Sequence, residues 1–219
     1  MEFVNGGARR LVRQLRARGI SDERVLAAFA RVPRDFFVPQ ALAPDAWEDN
    51  ALPIGEGQTI SQPTMIAMTL EALALDGHEQ VLDIGTGSGY QAALLGILAK
   101  EVVGVEFLAV HASAARKRIE ALGMKNVAVL RGDGGFGWPD RAPYDVIVAA
   151  ATAPRVPPPL IEQLRPGGRI AVPIGLHDGP HTMMVYTRSA GTDLVQRAAI
   201  PCHFVPMRGI HGQPDERSA

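Results

Sequence analysis

The chain of 219 residues is 47% hydrophobic and 21% charged, enough for one folded domain with a sizeable core. Its formal net charge of -1 gives no electrostatic footprint for nucleic acid. No apolar run reaches the length of a signal peptide core or a membrane span, and the single cysteine, Cys202, fits a reducing compartment, so a cytoplasmic protein that is not membrane-bound is expected, with a monomer as the default.

Leu11, Val12 and Leu15 among arginines predict an amphipathic helix ending at Gly19, and Ser21 reads as the N-cap of a second helix that stops before Pro33. Arg9, Arg10, Arg13, Arg16 and Arg18 spread over a solvated face at helical spacing. Next comes "GEGQTISQP", Gly55 to Pro63, a polar loop in front of a helix whose first position suits Pro63. Hydroxyls and amides at such a helix start, with unpaired backbone N–H groups and the positive end of the dipole, suggest a carboxylate site beside Ser61.

From residue 80 the pattern changes to short apolar runs alternating with helical stretches, the mark of βαβ units and a parallel sheet. "VLDI" (81–84), "VVGVE" (102–106), "VAVL" (127–130), "YDVIVAA" (144–150) and "GRIAVPI" (168–174) are the predicted strands. "HTMMVYTRS" and "DLVQRAAI" then flank a turn at Gly191 as an antiparallel hairpin, and the polar tail begins at His211. One domain results, with an N-terminal extension over 1–75, a core over 76–175 and C-terminal strands over 176–210.

"VLDIGTGSGY" puts Gly85, Gly87 and Gly89 directly after a buried strand and before a helix, where absent side chains let backbone approach a ligand. Tyr90 stands where a dinucleotide fingerprint needs its third glycine, which disfavours a nicotinamide oxidoreductase. Glu106 ends the next strand at the spacing of about 20 residues from which a carboxylate reaches ribose hydroxyls. Asp83, inside the first strand, suits a cationic amino-acid moiety or the ordering of the loop amides, and Asp133 in "RGDGG" suits an adenine amino group. These acidic groups without a P-loop lysine fit a ligand bearing ribose, adenine and an ammonium but no phosphate, which describes S-adenosylmethionine.

"LPIGEGQTISQP", "VLDIGTGSGYQAA", "RGDG", "QLRPGGRIAVPIG" and "FVPMRG", in that order, resemble the protein-L-isoaspartate (D-aspartate) O-methyltransferase family over about Val32 to Gly209. The resemblance implies a class I S-adenosylmethionine-dependent methyltransferase fold: α/β, Rossmann-like, with a mostly parallel doubly wound sheet, N-terminal helices and a C-terminal antiparallel extension. It implies methyl transfer to the free carboxylate of L-isoaspartyl residues in damaged proteins and peptides, with S-adenosylhomocysteine as product. The ester then closes to a succinimide whose hydrolysis returns some aspartate. Ser61 matches the serine assigned to catalysis in that family, with Thr59 as a second hydroxyl. Gln58, Thr59, Ile60, Ser61, Asp83, Gly85, Thr86, Gly87, Ser88, Glu106, Phe107, Asp133 and Gly134 are the implied cofactor positions. Ala150, Ala151 and Thr152 of "AAATAP", with Val205, Pro206 and Met207, are the implied peptide walls. Two departures stand at those walls: Ala150 replaces an expected threonine, with Thr152 two places on, and Arg208 replaces a common threonine. Another peptide or small acid as acceptor, or a binding module without turnover, are the competing readings.

No metal site is expected. His177 and His181 have i, i+4 spacing, but the "DGP" between them argues for a turn. His78, His111 and His211 read as surface residues, and His203 as a neighbour of the peptide wall.

Overall fold

The computed structural model describes residues 6–176 and 179–212. Helix α1 (Gly6–Ala17) turns Ala8, Leu11 and Leu15 inward and its arginines outward. Helix α2 (Glu23–Arg31) is capped by Asp22, one residue later than expected, whose carboxylate accepts the Arg24 and Val25 N–H groups. Ser21 instead joins two helices, because its N–H and hydroxyl both donate to Glu71 of helix α3 (Pro63–Leu73), at 2.8 and 3.1 Å. Two 3-10 turns, Arg34–Phe37 and Gln40–Trp47, carry the chain onward.

The "GEGQTIS" segment is less of a loop than its composition suggests. Strands β1 (Leu52–Gly55) and β2 (Gln58–Ile60) form an antiparallel hairpin that pairs Leu52 with Ile60. Gly55, Glu56 and Gly57 all have positive φ, at 96, 53 and 70°, so the two glycines relieve a turn that leaves only Glu56 in the left-handed region with a side chain.

The main sheet has seven strands. Strands β3 (Gln80–Ile84), β4 (Glu101–Glu106), β5 (Val127–Arg131), β6 (Tyr144–Ala149), β7 (Leu164–Ile174), β8 (His181–Arg188) and β9 (Leu194–Cys202) lie in the order β5-β4-β3-β6-β7-β8-β9. The first five in that row are mutually parallel, and β8 and β9 run antiparallel at the edge. Helices α4 (Tyr90–Leu98), α5 (Ala109–Ala121) and α6 (Pro158–Gln163) make crossovers. β7 starts at Leu164, four residues earlier than its apolar run suggests, because "LRPGG" continues the strand through an irregular register.

Alternating strand residues feed two cores. Val81, Val102, Val146 and Val148 pack with α1–α4, while Leu82, Val103, Ile147 and Ile170 pack with Tyr144, Leu160 and Met207 on the other face. Burial on both faces explains why the central strands β3, β4 and β6 read as continuous apolar runs. Strand order reverses between β3 and β6, and at such a switch point the carboxyl ends of the strands open a crevice. Among the described residues no helix is long and apolar enough to cross a membrane.

Candidate active site

The crevice is built from the glycine loop. Gly85, Gly87 and Gly89 have φ of 75, 54 and 95°, which bends the chain from β3 into α4 while Gly85 and Thr86 donate their N–H groups to Val105 O on β4. Gly104 on β4 makes room for that bend: a Cβ there would lie 2.6 Å from Thr86 Oγ1. The cavity at the strand ends is lined by Gln58 to Ser61, Gly85 to Ser88, Glu106, Phe107, Gly134, Ala150, Ala151 and Val205 to Arg208.

Glu106 is buried at the end of β4, with Oε2 accepting the Gly87 N–H and Oε1 the Leu108 N–H, each at 2.8 Å. Each oxygen keeps a lone pair for a hydroxyl donor, so the carboxylate is held rigid and still able to receive a ribose diol. Asp83 does not reach the cavity wall. It is fully buried under the loop, where Oδ1 accepts from Gln91 Nε2 at 2.7 Å and Oδ2 has no partner. Burial pushes its carboxyl up to about 6, against the hydrogen bond from Gln91. Its partner Gln91 does line the cavity, so a cation bound there would sit in the field of an incompletely satisfied buried carboxylate. The set of donors and acceptors fits S-adenosylmethionine: Glu106 would receive the ribose and the Gln91–Asp83 pair would face the cationic end.

Asp133 stands just beyond the carboxyl end of β5, beside the cavity rather than in its wall. It borders a pocket next door with Phe107, and its oxygens accept the Gly135 N–H at 2.9 Å and the Ile210 N–H at 3.0 Å, each keeping a lone pair. The carboxylate thus fastens the C-terminal segment over the loop after β5.

A second cavity of about 500 Å³ opens beside the first, lined by Asn50, Ala51, Gln62, Met65, Pro180, His181 and Pro201 to Val205 among others. Thr59, Ser61, Ala150 and Val205 line both cavities and form the doorway between them. Thr152 does not face either space. It is fully buried behind the wall, exchanging backbone hydrogen bonds with Val205 and Met207 at 2.8 Å, with its hydroxyl 3.1 Å from His181 Nδ1. It holds the "FVPM" segment in place instead of contacting what the cavity contains. Cys202 and His203 border the second cavity, and burial pushes the Cys202 thiol up to about 11, which favours the thiol over the thiolate at neutral pH.

The expected carboxylate site at the start of α3 exists, but the chain fills it. Asp49 Oδ1 accepts the Thr64 N–H at 2.9 Å, and Oδ2 accepts from the Thr64 hydroxyl at 2.7 Å and Gln62 Nε2 at 3.1 Å. Ser61 stays on the doorway because the residues after it are tied down by Asp49. Tyr90, Gln91 and Leu108 are cavity residues that sequence reasoning passed over, although the first two immediately follow the glycine loop. His111 is buried rather than superficial, with Nε2 3.3 Å from Gly55 O, and so braces the β1–β2 turn. His177 lies outside the described residues, and among those described no group of three or more His, Cys, Asp and Glu is placed to hold a metal.

A parallel sheet with the crevice at its switch point, a glycine turn and a strand-end carboxylate define a class I S-adenosylmethionine-dependent methyltransferase. The sequence profile of the protein-L-isoaspartate(D-aspartate) O-methyltransferase family matches residues 7–211. The chain belongs to that family, and its chemistry is methyl transfer from S-adenosylmethionine to a carboxyl oxygen. It is 48% identical to protein-L-isoaspartate O-methyltransferase 2 of Marinobacter nauticus, covering 92% of each chain. With the protein-L-isoaspartate O-methyltransferase of Methanoculleus marisnigri it shares 47% identity over 94% of this chain and 92% of that one. A solved protein-L-isoaspartate O-methyltransferase superposes with a TM-score of 0.82 at 31% identity, over 93% of this chain and 66% of the other. A Plasmodium falciparum protein crystallised with S-adenosyl-L-homocysteine shares the fold, with a TM-score of 0.78 at 22% identity over 90% of this chain and 96% of the other.

Proposed function

We propose that the enzyme methylates the free carboxylate of L-isoaspartyl residues in damaged proteins and peptides, with the Ser61 hydroxyl orienting that carboxylate at the doorway. The observation that carries this reading is the shared wall: Ser61 and Thr59 are the hydroxyl-bearing residues bordering both the cofactor cavity and its neighbour. When bound, S-adenosylmethionine supplies a methyl group on a cationic sulfur.

An acceptor carboxyl with a reference pKa of about 4 is already ionised at neutral pH, so the chain need provide no strong general base. What it must provide is alignment and the exclusion of water, and alignment is worth up to about 7–11 kcal/mol in favourable systems. Ser61 and Thr59 supply hydroxyl donors for one carboxylate oxygen and leave the other to face the cofactor side. Ala150 makes its part of the doorway apolar, and Val205 borders it from the "FVPM" segment. Residues 203–205 border the acceptor cavity beside the doorway, which supports recognition of the peptide around the carboxylate as well as the carboxylate itself. The single cysteine supports a reducing compartment such as the cytoplasm.

Transfer of labelled methyl groups to an isoaspartyl peptide and to its aspartyl twin tests the acceptor. Strong labelling of the first and almost none of the second is expected; equal labelling, or none, refutes it. Ser61→Ala is expected to lower kcat while leaving the affinity for S-adenosylhomocysteine nearly unchanged, and undiminished turnover removes the role given to Ser61.

A further inference from the structure

The Arg34 guanidinium is fully buried, a costly place for a cation unless it is held by many acceptors. It donates to the carbonyls of Ala46 at 2.5 Å, Glu48 at 3.4 Å, Asn50 at 2.8 Å and Ser61 at 3.2 Å. Three of those carbonyls belong to one short segment, and the fourth belongs to the proposed carboxylate-orienting residue itself. The segment answers with its own side chain: Asp49, between Glu48 and Asn50, holds Gln62 and Thr64 on the far side of Ser61. Ser61 is therefore gripped at its carbonyl by Arg34 and just downstream by Asp49.

The same grip reaches the acceptor and cofactor spaces. Asn50 and Ala51 line the acceptor cavity, so the segment that Arg34 gathers also forms part of its wall. The guanidinium lies 5.8 Å from the centre of the Tyr90 ring, and Tyr90 borders the cofactor cavity at the start of α4. Burial lowers the Arg34 pKa, opposed by Tyr90 and Asp49, but a guanidinium stays charged at neutral pH. A core that needed only to be filled would be served at lower cost by an apolar side chain of similar volume.

We propose that Arg34, with Asp49, is a positioning device for methyl transfer: it fixes the Ser61 hydroxyl relative to the acceptor wall, and it acts through Ser61 rather than on any substrate. This rests on the role given to Ser61 above. A displacement of about 1 Å in such a site can cost about a hundredfold in rate, so loosening the grip is expected to appear in kcat before it appears in cofactor affinity.

A double-mutant cycle tests it, with kcat for an isoaspartyl peptide and the Kd of S-adenosylhomocysteine as readouts. Lysine cannot bridge four carbonyls, so Arg34→Lys is expected to lower kcat by about ten- to a hundredfold with little change in product affinity. In a Ser61→Ala background the same substitution is expected to have almost no further effect on kcat. Asp49→Asn, which keeps an oxygen for Thr64 while losing the charge, is expected to show a smaller loss with the same dependence on Ser61. It carries the test alone should Arg34→Lys fail to fold. Equal fold-losses with and without Ser61, or a fall in product affinity matching the fall in kcat, overturn the proposal and leave a structural role. Full turnover by Ser61→Ala itself overturns the Ser61 reading and the positioning proposal with it, a result recognisably different from equal losses in both backgrounds.

Discussion

Glu106 Oε2 and the Gly87 amide meet at 2.8 Å, so one carboxylate both pins the glycine loop and faces the cofactor cavity. Its other oxygen holds Leu108 N–H at the start of α5, which ties the ends of β3 and β4 into one rigid frame. Glu106→Gln keeps the shape but turns one acceptor into a donor facing a backbone N–H. Hydrogen bonds to charged groups are worth about 1.5–3 kcal/mol, so the Kd for S-adenosylhomocysteine is expected to rise about ten- to a hundredfold. Calorimetry reads this directly, and an unchanged Kd would show that Glu106 does nothing beyond bracing the loop.

Gly104 offers a second probe of that frame. A methyl group there would meet Thr86 Oγ1 at 2.6 Å and Cγ2 at 3.3 Å in the middle of a buried strand. Overpacking of this kind costs about 1–3 kcal/mol, and the side chain that must give way is part of the cofactor loop. Gly104→Ala should weaken product binding as well as thermal stability, and adding Thr86→Ala should restore stability by clearing the space. Failure of the second substitution to raise the melting temperature of the first would show that the clash is relieved elsewhere.

Asp83 predicts a pH effect with a defined sign. Burial raises its folded-state pKa from 3.8 to about 6, so the folded protein holds this proton more tightly than the unfolded chain does. Its contribution is therefore fully present below the unfolded value and is lost as pH rises through about 6. A shift of about two units corresponds to roughly 3 kcal/mol between the two protonation states. In melting curves of the unliganded enzyme, wild type should have its greatest advantage over Asp83→Asn at acidic pH, and the difference should move in the variant's favour as pH rises through about 6 toward pH ~8. Parallel curves from acid to alkaline pH would show that folding does not raise the Asp83 pKa.

The parts of this enzyme that sequence makes legible are those whose signals are local. The glycine turn, Glu106 and the five parallel strands each occupy a few adjacent residues, with flanking apolar runs that specify their surroundings. The β1–β2 hairpin is hidden because "GEGQTIS" is short and polar, and its pairing is visible only once Leu52 is set against Ile60. Arg34 is hidden for a different reason: it binds backbone carbonyls 12 to 27 residues away, and a carbonyl leaves no mark in the sequence. The stretch around it, "VPRDFFV", gives little clue, because the adjacent Asp35 makes the arginine read as half of a surface charge pair. Asp49 escapes notice because it lies 15 positions ahead of Thr64, at the start of a helix whose open N–H groups the sequence assigns to a bound carboxylate.

His181 connects the "FVPM" segment to the edge of the sheet. Its Nδ1 accepts the Phe204 N–H at 3.1 Å, which places the ring proton on Nε2, 3.0 Å from Leu176 O. The ring is buried and therefore fixes the start of the segment whose Val205 forms one side of the doorway. His181→Phe retains an aromatic ring but leaves the Phe204 N–H, and the Thr152 hydroxyl beside it, without this partner. An unpaired buried group costs about 1–3 kcal/mol, so the melting temperature should fall by several degrees. The functional signature should be selective: KM for the isoaspartyl peptide should rise while the affinity for S-adenosylhomocysteine changes little, because the glycine loop and Glu106 are untouched. His181→Asn, whose amide oxygen can accept the same N–H, should recover part of the peptide affinity. If both variants lose cofactor and peptide binding equally, the "FVPM" segment supports the whole site and does not set acceptor recognition.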